Sequence, residues 1–137
     1  MANNVKLDRR FDWVGPPDSV SKIRPIKLRR VDNETHLERD YRVARESLNQ
    51  WNSDFWRQHN IEFEKCKSVF VEKKKAELGK LATITPEEMS TFYRDFLNQR
   101  RKELATYNSE WYRRNFCLIY PALKVNLIRV RRFLLRR

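Results

Sequence analysis

The residues that could bind metals or carry out redox chemistry are few and far apart in this chain. Cys66 and Cys117 form no Cys-x-x-Cys pair, and His36 and His59 each stand alone. Zinc, copper and haem sites need such ligands at short, regular spacing, so this pattern predicts no metal site and no cofactor. For the two cysteines, the spacing favours buried small apolar side chains over a structural disulfide.

The residue types that perform catalysis are not arranged in a recognisable site either. The chain has no Gly-rich phosphate loop and no Ser/His/Asp arrangement. Its acidic residues mostly alternate with Lys and Arg along predicted helices, where solvated ion pairs are the usual arrangement. We therefore predict that the protein is not an enzyme and has no small-molecule substrate.

The composition indicates long helices and acidic partners. With 137 residues, 2 Gly and 5 Pro, the chain suits a single helical domain over residues 1–137. Its net charge is +12, which favours contact with nucleic acid, anionic lipid or an acidic protein surface. Half of this excess, +6, lies in residues 116–137, which contain no acidic residue, so we expect a local basic contact.

Residues 1–33 are predicted to form an extended arm. The run Gly15–Asp18 contains two prolines and predicts a turn followed by extended chain, and Pro25 disfavours a helix around Arg24. The arm carries the apolar residues Phe11, Trp13, Val14, Ile23, Ile26 and Leu28. We expect the arm to pack on the helices, and a partner-binding arm is the alternative.

A long helix is predicted over residues 34–78. Apolar residues recur at alternating steps of four and three, the spacing of a heptad seam. The seam comprises Leu37, Tyr41, Ala44, Leu48, Trp51 and Phe55 and, after a slip at His59, Phe63, Cys66 and Phe70. Asn60 permits a break, but we favour one continuous helix that ends before Gly79.

A second helix is predicted over residues 86–119. Thr85 is suited to cap it, Pro86 to occupy its first position and Glu88 to complete a capping box. Its apolar stripe comprises Met89, Phe92, Tyr93, Phe96, Leu97, Leu104, Tyr107 and Trp111. The short connection between the two helices favours an antiparallel hairpin. The predicted class is all-α: a long helical hairpin with an extended N-terminal strap.

A separate basic amphipathic helix is predicted over residues 122–137, because Pro121 should kink or restart the chain. Its apolar face comprises Leu123, Leu127, Val130 and Leu134, and its basic residues are Lys124, Arg129, Arg131, Arg132 and Arg136. Val125, Ile128 and Leu135 interrupt the basic side. This pattern favours docking to an anionic membrane or a membrane protein. A third bundle helix and a nucleic-acid contact are the alternatives.

Several phrases of the sequence occur together in one known family. They are FDWVGPPD at Phe11–Asp18, Arg24-Pro25, WNSDFW at Trp51–Trp56, FYRDFL at Phe92–Leu97 and YNSEWYRRNF at Tyr107–Phe116. From about Phe11 to about Arg132, the chain resembles the cytochrome c oxidase assembly factor 8 family, also called apoptogenic protein 1.

This resemblance implies a mitochondrial protein that is peripheral on the matrix side of the inner membrane. It implies a role in assembly and maintenance of cytochrome c oxidase, especially under oxidative stress, with a link to apoptosis, and neither catalytic residues nor a cofactor. Family members carry a targeting extension ahead of the FDW motif, and no targeting segment is evident before Phe11.

Two contact surfaces follow as expectations. The membrane or acidic-partner contact comprises Lys124, Arg129, Arg131, Arg132 and Arg136, and the partner contact comprises Trp13, Trp56, Tyr107, Trp111 and Tyr112. For Trp111 a core position is favoured over a partner contact. The expected partners are cytochrome c oxidase subunits or assembly intermediates and the anionic inner-membrane surface. The alternative is a basic helical protein that binds nucleic acid or the mitoribosome, which we disfavour.

Overall fold

The computed structural model of the chain describes residues 7–136. Two short strands precede three helices, and the long helices confirm the predicted all-α class. The elements are β1 (Trp13–Val14), β2 (Ile26–Lys27), α1 (His36–Leu78), α2 (Pro86–Gln99) and α3 (Arg101–Leu135). Residues 1–6 of the predicted arm and Arg137 of the predicted C-terminal helix lie outside the described residues.

Helix α1 runs unbroken for 43 residues, as the favoured prediction expected. Its first turn is closed by a capping box that the sequence reading missed: Thr35 Oγ1 accepts from Glu38 N at 3.2 Å, and Glu38 Oε2 accepts from Thr35 N at 2.8 Å. The helix passes through Asn60, whose side chain binds the arm instead of capping a new helix. It ends at Gly79, whose φ of 98° is readily available only to glycine.

Helices α2 and α3 run back along α1, so the predicted antiparallel hairpin is present. Residues later in α1 contact residues earlier in the chain that follows it, as expected for antiparallel helices. Glu38 contacts Arg132, Asn52 contacts Tyr107 and Phe70 contacts Phe92. At the start of α2, Thr85 and Glu88 form the predicted capping box. Each capping box satisfies two backbone N–H groups that the first helical turn leaves unpaired.

The predicted helix over residues 86–119 is interrupted at Arg100, which is a correction. Arg100 has φ −94° and ψ 5°, outside ordinary helical values. The interruption is local, because Arg100 N still donates to Phe96 O at 3.1 Å and Leu104 N to Arg100 O at 3.0 Å. The Arg100 side chain is paired with Glu62 of α1. This ion pair holds the Arg100 side chain against α1. It joins residues 38 positions apart, so the sequence around Arg100 alone does not predict it.

Helix α3 also continues through Pro121 to Leu135, so the predicted end at residue 119 and restart at residue 122 are wrong. Proline has no N–H to donate to the carbonyl four residues earlier, which belongs to Cys117. Packing of α3 against α1 on both sides of Pro121 then holds the helix together despite the missing bond.

The described part of the arm packs along one side of α1, and we call this segment the strap. In a two-stranded antiparallel ladder, Trp13 lies opposite Lys27 and Val14 opposite Ile26. The arm's backbone is bound by polar side chains of α1. Asn49 makes two of these bonds: its side chain donates to Arg24 O at 2.9 Å and accepts from Ile26 N at 3.3 Å. The Glu46 carboxylate accepts from Leu28 N at 3.0 Å. The Asn60 side chain donates to Val20 O at 2.7 Å.

The hydrophobic core is thin. Among the described residues, the buried hydrophobic side chains are Phe96, Tyr107 and Val125. The expectation of two buried cysteines is wrong for Cys117, which is exposed, whereas Cys66 is half-buried, and both thiols are free. A two-helix hairpin has little interior, so a position on the predicted apolar side does not guarantee burial.

We expect the Asn49→Ala substitution to loosen the arm, because it leaves two arm backbone groups without their partners. Loss of such bonds costs roughly 1–3 kcal/mol. Limited trypsin digestion followed by mass spectrometry should show faster cleavage between Lys22 and Arg30 than in the unchanged chain. Gln50→Ala is the matched control, since Gln50 bonds only to Asp54 of the same helix. Equal cleavage of the two variants would contradict this account of arm docking.

Candidate functional site

Helix α3 presents two faces with different surroundings. Its inner face, where Arg132 pairs with Glu38 of α1, includes Val125, which is 1% exposed, and the half-buried Ile128. Both residues interrupt the basic side of the predicted amphipathic helix. The third such residue, Leu135, is 72% exposed. The predicted apolar face lies on the opposite side of α3, and its four members, Leu123, Leu127, Val130 and Leu134, are 55–62% exposed.

This exposed apolar face extends well beyond the four predicted residues. We call it the outer surface of α3; its members are Tyr112, Phe116, Ile119, Tyr120, Leu123, Leu127, Val130 and Leu134. Each is between 55% and 66% exposed. Apart from the consecutive pair Ile119 and Tyr120, they follow one another at steps of three and four residues, which places them on one side of the helix over about 33 Å at 1.5 Å per residue. Exposed apolar patches of this length are typical of contact surfaces.

The five predicted basic contact residues do not share one surface of α3. Lys124 borders the outer surface, with its Nζ 4.3 Å from the centre of the Tyr120 ring. Arg131 lies one helical turn from Leu127 and Leu134 and is exposed. Arg136 is exposed just beyond the end of α3. Two residues, Lys124 and Arg131, therefore flank the outer surface directly.

Arg132 and Arg129 lie on the inner side of α3. Arg132 donates to the Glu38 carboxylate at 2.7 and 3.0 Å and to Asn33 O at 3.0 Å, which joins the end of α3 to the start of α1. Arg132 lowers the pKa of Glu38 to about 2, and the bond from Thr35 N contributes. Arg129 lines cavities between the arm and α1. Neither residue borders the outer surface.

Two of the five predicted partner-contact aromatics form part of the interior. Tyr107 is 8% exposed. Its hydroxyl donates to Asn52 Oδ1 at 2.8 Å and accepts from Trp56 Nε1 at 3.0 Å, and its ring stacks on Phe55 with centroids 4.0 Å apart. This arrangement connects α3 to α1 and satisfies the buried polar atoms of both aromatic side chains.

The other three predicted aromatics occupy separate places. Trp111 and Tyr112 are neighbours on α3, 36% and 57% exposed, with rings in an edge-to-face contact 5.2 Å apart. Trp13 lies in β1 with its ring against Gly15, where a Cβ atom would collide with it. The structure thus does not gather the five aromatics into one surface. Their contact with a partner stays a prediction.

His59 is surrounded by aromatic rings. Its imidazole lies 5.3 Å from the Trp56 ring and 5.4 Å from the Phe96 ring, centre to centre. Burial lowers its pKa, and the nearby positive charge of Arg100 lowers it further, so the ring is neutral at neutral pH. Throughout residues 7–136, no group of three or more His, Cys, Asp or Glu side chains is positioned to hold a metal ion.

Between residues 7 and 136, no helix combines the length and the apolar character needed to cross a bilayer.

Sequence comparison connects this arrangement with a known family. Residues 11–131 match the family described as Cytochrome c oxidase assembly factor 8. The chain belongs to this family. A mitochondrial COA8 family protein of Caenorhabditis briggsae is 66% identical over 128 residues, covering 93% of this chain and 90% of the relative. Its counterpart in Caenorhabditis elegans is 64% identical over the same shares. No solved structure matches the chain.

More distant members of the family match over most of this chain as well. Cytochrome c oxidase assembly factor 8 of Homo sapiens is 36% identical over 127 residues, covering 87% of this chain and 62% of the relative. The region matched by the family, residues 11–131, includes the strap from Phe11 onward, all of α1 and α2, and most of α3. The family resemblance derived from the sequence phrases is thereby confirmed.

Sequence reasoning missed the first half of the outer surface. The predicted apolar face begins only at Leu123, because the sequence prediction ends one helix before Pro121 and starts another after it. It therefore omits Phe116, Ile119 and Tyr120. The steps of four and three continue across the proline without interruption. Extending the periodicity through Pro121 would have revealed a single face.

We expect Arg132→Gln to destabilise the chain at neutral pH by about 1.5–3 kcal/mol, because Glu38 is 6% exposed and would lose its charged partner. The pKa of Glu38 is lower in the folded chain than its ordinary 4.5, so this stabilisation is present above pH 4.5 and is lost as pH falls through about 2. Urea unfolding across that range should show the difference between the two chains shrinking. Arg131→Gln is the control, and a pH-independent difference would refute the assignment.

We also expect Tyr107→Phe to destabilise the chain by roughly 1–3 kcal/mol, since the substitution leaves Trp56 Nε1 without its acceptor in a partly buried site. Tyr112→Phe removes the same atom from a side chain that is 57% exposed and should change stability by less than about 0.5 kcal/mol. Urea unfolding followed by tryptophan fluorescence compares the two. Similar effects of both substitutions would contradict an interior role for the Tyr107 hydroxyl.

Proposed function

We propose that this chain supports the assembly and maintenance of cytochrome c oxidase in mitochondria, as a binding protein and not as an enzyme. Its family is named for the assembly of cytochrome c oxidase, and relatives in two nematodes are named mitochondrial. We further propose that it is a peripheral protein on the matrix side of the inner membrane, held there by the outer surface of α3. Cytochrome c oxidase subunits or assembly intermediates are the proposed protein partners.

The observation that carries the membrane proposal is the uncovered apolar face of α3. Burial of apolar area stabilises by roughly 25 cal/mol per Å², so eight half-exposed apolar side chains in one line favour a contact strongly. A helix with such a face lies in the plane of a bilayer, with its apolar side in the headgroup region. Lys124 and Arg131 would then lie at the depth of the lipid phosphates.

The charge of this region favours anionic lipid over a second copy of the chain. Residues 116–137 contribute +6 and contain no acidic residue. A symmetric contact between two copies would bring two such segments together, and like charges at close range repel each other. An anionic bilayer supplies the opposite charge, and each basic residue near its surface contributes roughly 1 kcal/mol.

In this orientation α1 and the strap extend away from the lipid and are available to protein partners. The outer surface lies on the side of α3 opposite the buried Val125 and opposite Arg132, which pairs with Glu38 of α1. Trp111 and Tyr112 lie where the outer surface begins and can reach both lipid and protein. The roles in oxidative stress and apoptosis that the resemblance implies stay predictions.

The proposal is tested by replacing the centre of the outer surface with Leu123→Gln and Leu127→Gln together. The unchanged chain should float with vesicles of phosphatidylcholine and cardiolipin, and the double variant should bind at least about tenfold more weakly, since two leucine side chains no longer enter the apolar layer. The matched control is Val69→Gln with Leu78→Gln, two residues of α1 that are 60% and 56% exposed. Circular dichroism verifies that both variants fold.

Equal flotation of the variant and the control, or no flotation of the unchanged chain, would remove the membrane part of the proposal. The oxidase part is tested separately, by co-purification of oxidase subunits and by restoration of oxidase activity in cells that lack their own family member. Failure of both measurements would contradict it. Steeply salt-dependent RNA binding by the chain, kept when flotation is lost, would favour the nucleic-acid alternative.

A further inference from the structure

Four arginine side chains converge where the strap meets α1 and α3. They line an open cavity of about 380 Å³ together with one acidic and two apolar residues. The lining residues are Arg10, Phe11, Asp12, Leu28, Arg29, Arg45 and Arg129. The arginines come from both limbs of the strap, from α1 and from α3, so the fold and not the local sequence assembles the cluster.

The positive charge of this cavity is poorly compensated from within. Asp12 is its one acidic lining residue, and the Asp12 carboxylate already accepts a bond from Arg29 N at 2.7 Å. Arg10 is paired with Asp8. Within residues 7–136, Arg29, Arg45 and Arg129 have no carboxylate oxygen within 4.0 Å of their side-chain nitrogens.

The adjoining cavity shares Leu28, Arg29 and Arg129 with the first one. Its lining also contains two carboxylates, those of Glu34 and Glu38, and the guanidinium group of Arg42. These two carboxylates are already bound, Glu34 by Arg42 at 3.0 Å and Glu38 by Arg132 at 2.7 Å. Each carboxylate of the adjoining cavity is therefore paired with an arginine from outside the cluster.

All four arginines are exposed, and arginine keeps its positive charge throughout the physiological pH range. An anion that contacts several of these guanidinium groups would offset their charge. Guanidinium groups bind phosphate oxygens with two parallel hydrogen bonds, and several of them can surround one phosphate group. The apolar wall formed by Phe11 and Leu28 would contact the part of the ligand that carries the phosphate.

We propose that the cavity formed by Arg10, Arg29, Arg45 and Arg129 binds a phosphate-bearing anion and thereby joins the strap to both long helices. The phosphate belongs either to a lipid headgroup or to a free phosphate compound. The inference does not depend on the outer surface of α3, because none of the cavity's lining residues belongs to that surface.

The test uses the full chain and the double variant Arg29→Gln with Arg45→Gln. The control, Arg39→Gln with Arg101→Gln, removes the same charge from two exposed residues outside the cavity. Titration with inorganic phosphate at constant ionic strength should raise the melting temperature of the unchanged chain and of the control. The double variant should require at least about tenfold more phosphate for the same shift, because stabilisation by a bound anion depends on the ratio of its concentration to its dissociation constant.

Flotation with vesicles of phosphatidylcholine and cardiolipin distinguishes the two sources. Weaker phosphate response with unchanged flotation identifies a free phosphate compound, and weaker flotation of the double variant identifies a lipid headgroup. The Leu123→Gln, Leu127→Gln variant should keep the phosphate response, so failure of the membrane proposal is recognised separately. The proposal is overturned if phosphate and vesicles act equally on the double variant and the control, or if neither acts on the unchanged chain.

Discussion

Two helices that lie side by side touch along one line, and this geometric limit governs the rest of the molecule. The contact buries Phe96, Tyr107 and Val125 and leaves both sides of the hairpin open. One side is covered by the strap, whose polar backbone is held by side chains of α1 such as Asn49. The far side of α3 has no such cover within the described residues. Because one strap covers only one side of the hairpin, the apolar outer surface of α3 has no partner within the described residues.

Because the apolar contact is narrow, polar contacts fix the register of the hairpin. The Tyr107 hydroxyl joins Asn52 and Trp56 near its middle, and Arg132 joins Glu38 at one end. The net stabilisation from each contact is modest, but a register shift would leave partly buried polar groups unpaired, which is costly. Such contacts therefore act mainly by excluding alternative alignments, which a long aromatic seam alone would permit.

The parts of the fold that depend on neighbouring residues could be predicted, and those that depend on distant residues could not. The capping box at Thr85 and the end of α1 before Gly79 follow from short sequence signals. The interruption at Arg100 depends on Glu62 across the hairpin, and the continuity at Pro121 depends on packing against α1. The arginine cavity joins residues up to 119 positions apart, from Arg10 to Arg129, which no local pattern can reveal.

The basic end of the chain, which the sequence suggests is a single contact, has at least three electrostatic roles. Arg132 pairs with a carboxylate that is 6% exposed, and such pairs are weakly screened by salt. Arg129 faces the cavity beside the strap, whereas Lys124 and Arg131 flank the outer surface. Charges in water are screened beyond about 8 Å at physiological ionic strength. In the proposed membrane contact, salt would therefore weaken attraction to an anionic surface before it loosens the end of the hairpin.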